Sequence, residues 1–95
     1  MRELDLVKKV VLEHLEGEDA GVWLFGSHAV GSANRTSDID VGILPRSPVS
    51  RWKLQGLRQA LEDLNIPYTV DLVMLDEVSV SFRETVLRDA VQWSN

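Results

Sequence analysis

The chain has 95 residues, with ten Lys and Arg against fifteen Asp and Glu, for a formal net charge of −5. That balance argues against general nucleic-acid binding, which draws on a basic face, and the absence of cysteine excludes a disulfide framework or a thiolate metal site. With 44% apolar residues, the expectation is one folded domain over residues 1–95 with a single thin core.

The N-terminal "MRELDLVKK" is charged and amphipathic, unlike a signal peptide, and no apolar run reaches transmembrane length. The expected location is the cytoplasm, with no membrane partner. Leu4, Val7, Val11 and Leu15 recur at helical spacing and predict a helix over 3–16, with Gly17 at its C-terminal cap. The short apolar run 22–25 reads as a buried strand ending at Gly26. Residues 27–32 read as a turn or one helical turn, and "ANRTS" as a polar loop. Residues 38–44 alternate, with Ile39, Val41 and Ile43 on one face and Asp38, Asp40 and Gly42 on the other. Pro45 stops that strand. Ser47 and Pro48 suggest the start of a second helix with a Leu54, Leu57, Leu61, Leu64 stripe. Asn65 and Pro67 end it, and 68–75 reads as a third strand. Ser81 and Glu84 form a capping-box pattern for a last helix with Phe82, Val86, Leu87, Ala90 and Val91 on one side. This order predicts an α/β (α+β) fold, a small mixed sheet with helices mainly on one face.

Gly26 and Gly31 have the spacing of a phosphate-cradling P-loop, but Ser32 and Ala33 stand where Lys and Ser or Thr belong. In place of the lysine the chain offers a pair of carboxylates. Asp38 and Asp40 are two apart on one strand, so both leave the same face, where they repel unless a cation sits between them. If the second and third strands are neighbours, Asp71 in "YTVDLVML" joins them. Three carboxylates on adjacent strands suit hard divalent ions, which clamp the attacking and leaving oxygens of a phosphoryl displacement. Gly26 would then admit a phosphate to the backbone, and the Ser27 hydroxyl and the amides beginning the next turn would donate to it.

The spaced pattern Gly26-Ser27, Ser37-Asp38-Ile39-Asp40 and Asp71 resembles the signature of the DNA polymerase beta-like nucleotidyltransferase superfamily. The "FGS…G…SDIDVGI…VDL" arrangement is similar to its minimal branch, whose members act as antitoxins to helical HEPN-domain toxins. The resemblance implies a palm-like nucleotidyltransferase core and a metal-dependent transfer of AMP from ATP to a hydroxyl, a tyrosine of the HEPN partner. It further implies two Mg²⁺ ions, replaceable by Mn²⁺, on Asp38, Asp40 and Asp71, and nucleotide contacts from Gly26, Ser27 and Ser37. The branch commonly carries arginines where this chain has His28 and Val30. That departure favours the alternative, a non-catalytic antitoxin that masks its toxin. A D-x-D phosphatase with Asp38 as nucleophile would place its acids after the apolar strand, and here the apolar run comes after them. His28 and Arg35 are further candidates for a phosphate contact.

Overall fold

The computed structural model describes residues 2–32 and 38–94. The first helix, α1 (Arg2–His14), turns Val7 and Val11 inward, and both are fully buried. Then come β1 (Ala20–Phe25), the single turn α2 (Ser27–Val30), β2 (Ile39–Pro45) and α3 (Arg51–Glu62). The chain continues through β3 (Val70–Met74), α4 (Val80–Asp89) and β4 (Val91–Ser94).

The sheet order is β3-β2-β1-β4. β1 is antiparallel to both β2 and β4, whereas β2 and β3 are parallel. Parallel neighbours need a crossover, and α3 provides it. One face of the sheet carries Val22, Leu24, Ile39, Val41, Ile43 and Leu72, which form the core with Val7 and Val11 of α1 and Leu57 and Leu61 of α3. Each such side chain contributes about 1.5–3 kcal/mol when fully buried. The mixed sheet with α1 and α3 together on one face is the architecture expected; α4 is the exception. It packs on β1 from the other side, where Val86 shares a cleft with Phe25.

On that second face Gly42 leaves room for Leu75, which is fully buried. A Cβ at position 42 would lie 2.8 Å from Leu75 Cδ1. Arg83 Nη1 donates to the Leu75 carbonyl at 3.3 Å and ties α4 to the end of β3.

Three sequence expectations are corrected. The cap of α4 is Ser79, whose Oγ accepts from the Phe82 amide at 3.1 Å, and not a Ser81–Glu84 box. The helix also ends at Asp89: Ala90 is extended, and Val91 enters β4, pairing with Leu24. Helical periodicity loses there because the outer edge of β1 offers unpaired backbone groups to any extended segment that reaches it. Finally, α3 starts after Ser50, not at Ser47. The Arg46 amide donates to the Asp19 carbonyl at 2.8 Å, and its side chain pairs with Asp19 at 3.2 Å, holding this stretch against the α1–β1 turn. Lys53 of α3 pairs with Glu18 at 2.9 Å. Trp93 packs against the core, while Trp52 is 74% exposed. Among the described residues no helix is long and apolar enough to cross a membrane.

Candidate active site

The parallel pairing of β2 and β3 decides the site. Asp40 stands opposite Asp71 in register, so their side chains leave the same face of neighbouring strands. Asp38 is exposed just ahead of β2. Burial pushes the Asp40 carboxyl up from its ordinary value of 3.8; the neighbouring charges of Asp71 and then Asp38 add to this, and His28 opposes it. The charges of Asp71 and Asp38 therefore both reach Asp40. Among the described residues, no three Asp, Glu or His side chains converge into a closed metal-binding set. The structure thus gives a register pair, Asp40 and Asp71, with Asp38 beside it. The set is oxygen-only and carries like charges that raise Asp40, the chemistry a hard divalent cation neutralises. In that respect the residues fit such an ion.

The other wall comes from the end of β1. Phe25 pairs with Asp40, so Gly26 arrives beside the Asp40 carboxylate. Gly26 has φ 76° and ψ −157°, a conformation almost confined to glycine. A Cβ there would collide with Asp40 Oδ2. The Asp40 carboxylate thus lies where a side chain at position 26 would have to go.

The α2 turn hydrogen-bonds largely within itself. The amides of Ala29 and Val30 donate to the Gly26 carbonyl at 3.0 and 3.3 Å. Those of Gly31, in the left-handed region, and Ser32 donate to the Ser27 carbonyl. Anion contacts therefore fall to the Ser27 hydroxyl and to groups ahead of Ala29. His28 sits edge-on to Tyr68, with ring centroids 5.4 Å apart and planes at 87°. Sequence reasoning gave no role to Tyr68, because no local pattern links a turn after β1 to the approach to β3. Ser37 and Arg35 lie outside the described residues. Arg58 shares a cleft of ≈ 200 Å³ with Asp71 at the open edge of β3. A hollow of ≈ 280 Å³ beside Leu64, Ile66 and Tyr68 is lined by none of the three acids.

Comparison with known proteins places this geometry. Residues 4–93 match the nucleotidyltransferase domain family. The "Probable protein adenylyltransferase MntA" of Haemophilus influenzae is 32% identical over 84 residues, 88% of this chain and 72% of that protein. A chain from a crystal structure of a toxin–antitoxin complex with AMP-PNP superposes with a TM-score of 0.69 at 26% identity, over 90% of this chain and 71% of that one. A second complex, of a tri-AMPylated Shewanella oneidensis HEPN toxin with its MNT antitoxin, shares the fold with a TM-score of 0.66 at 22% identity, over 97% and 69% of the two chains. Nucleotidyltransferases of this kind use divalent metals. The chain belongs to the nucleotidyltransferase domain family, in its minimal, antitoxin-type branch.

Proposed function

We propose that this nucleotidyltransferase transfers AMP from ATP to a tyrosine hydroxyl of a HEPN-domain partner and thereby acts as its antitoxin. The observation that carries this reading is the register pairing of Asp40 with Asp71 beside Gly26. The family match and the adenylyltransferase relative support it, as do the AMP-PNP and the AMPylated HEPN toxin of the neighbouring complexes.

Asp38, Asp40 and Asp71 would hold Mg²⁺ or Mn²⁺, which supplies charge neutralisation for the triphosphate and the departing pyrophosphate. Ser27 donates its hydroxyl to a phosphate oxygen, and Gly26 keeps the turn against Asp40 so that both meet the same phosphates. The acceptor oxygen bonds to the α-phosphorus as the bond to the pyrophosphate oxygen breaks. Asp71, on the open side of the pair, takes the hydroxyl proton. Holding the reactants in line supplies much of the rate, so the partner that presents the tyrosine is part of the catalyst. The intact mass of each protein, measured after incubation with ATP and Mg²⁺ alone and together, tests this. The expected result is addition of AMP to the partner only in the mixture. Rapid transfer to a free small molecule, with none to the partner, would refute it.

The replacement of the branch's usual arginines by His28 and Val30 favours a second reading, a masking antitoxin without transfer. An unmodified partner that is nevertheless inhibited in the mixture would establish that one.

A further inference from the structure

The acid-bearing side of the molecule has an apolar cleft of ≈ 300 Å³ between α2 and α4 that no step above uses. Phe25, Val30, Phe82 and Val86 line it, and Gly26 does too. Gly26 also abuts the Asp40 carboxylate, so the cleft begins where the proposed phosphate site ends. Phe82 and Val30 are 47% and 57% exposed although both are apolar. The size is at the lower end for small-molecule sites, about 300–1,000 Å³.

The polar side chains lining this cleft are Thr85 and Asp89, four apart on α4. The Thr85 hydroxyl donates to the Ser81 carbonyl at 3.0 Å, which leaves its oxygen as an acceptor. The Asp89 carboxylate offers acceptor oxygens. An apolar slot with an aromatic side and an acceptor-bearing margin suits a flat ring that carries N–H donors on its edge. A purine with an exocyclic amine has that chemistry, and in a nucleoside triphosphate it lies one ribose away from the α-phosphate. We propose that this cleft holds the aminopurine base of the nucleotide, stacked on Phe82, with its amine directed to Thr85 and Asp89. The proposal rests on the reading that the triphosphate lies at Gly26 and Ser27.

Calorimetric titration in Mg²⁺ with three probes tests it: AMP-PNP, the corresponding purine riboside analogue lacking the 6-amine, and inorganic tripolyphosphate. Phe82→Ala should weaken AMP-PNP binding about tenfold, within the range for loss of base–aromatic stacking, and leave tripolyphosphate unchanged. Asp89→Ala should abolish the preference for AMP-PNP over the amine-free analogue. Thr85→Leu, which fills the cleft from an exposed position, should reproduce the loss if Phe82→Ala melts early. If tripolyphosphate binds and all variants hold AMP-PNP as the parent does, the base cleft is overturned while the phosphate site stands. If no probe binds, the functional reading falls and the cleft with it.

Discussion

At the scale of single residues, Gly26 and Asp40 are one unit. Gly26 adopts a backbone conformation that side chains resist, and the space its Cβ would occupy belongs to Asp40 Oδ2. Gly26→Ala should therefore cost about 1–3 kcal/mol of stability from backbone strain alone, and it should also displace the carboxylate. Urea unfolding and the transfer assay should both report the loss; a variant with normal stability and activity would show that the turn relaxes freely. Asp40 carries its own cost. Its carboxyl titrates above the ordinary value in the folded protein, so the folded state favours the protonated form. That contribution to stability is present below pH about 4 and is lost as pH rises through the folded value. Without metal, Asp40→Asn should melt above the parent at pH 7, by a small margin because Asp40 is largely solvent-screened. The difference should shrink toward pH 4. Melting curves at both pH values check the sign, and a gap that does not change with pH would remove the linkage.

At the scale of elements, the helix start and the strand register separate what is local from what is not. Two serines compete to begin α4, and the one that caps is Ser79. Ser79→Ala should cost about 1 kcal/mol, whereas Ser81→Ala should be near neutral, because the Ser81 group that bonds Thr85 is its backbone carbonyl. Chemical denaturation of the two variants side by side decides between Ser79 and the Ser81–Glu84 box. The β2–β3 pair depends on a tight fit further along the same strands. Gly42→Val drives a side chain into fully buried Leu75 and should cost about 1–3 kcal/mol by overpacking. Because Gly42 lies two residues after Asp40 on the same face, that variant should also weaken nucleotide binding, measured by titration at a temperature where it remains folded.

At the scale of the molecule, the net charge of −5 opposes the proposed substrate. A triphosphate meets an acidic protein and three aspartates, and long-range attraction does not bring it in. Triphosphate binding should therefore depend on divalent metal. Mg²⁺ or Mn²⁺ with AMP-PNP should raise the melting temperature of the parent by mass action, and EDTA should abolish the shift. Asp38→Asn combined with Asp40→Asn should give no shift at all. An undiminished shift in that double variant would place the nucleotide elsewhere.

The sequence by itself determined whatever repeats over a few residues. The 3.6-residue spacing of Val7, Val11 and Leu15 made α1 legible, and the two-residue alternation from Asp38 to Gly42 put Asp38 and Asp40 on one face before any fold was known. Both patterns come from the geometry of a single segment. The tertiary structure decided everything that depends on which segment lies beside which. Asp71 joins Asp40 because β3 lies parallel to β2 in one register, a choice made by buried Leu72 and by the α3 crossover. Val91 left a helical pattern for β4 because the edge of β1 had backbone groups to pair. The gap at Gly26 went to Asp40, and Phe82 came to face Phe25 and Val30 across a cleft, through contacts between residues far apart in the chain. Periodicity is a local property; register, edge pairing and the sharing of space are not, and the candidate site is built mainly from the latter.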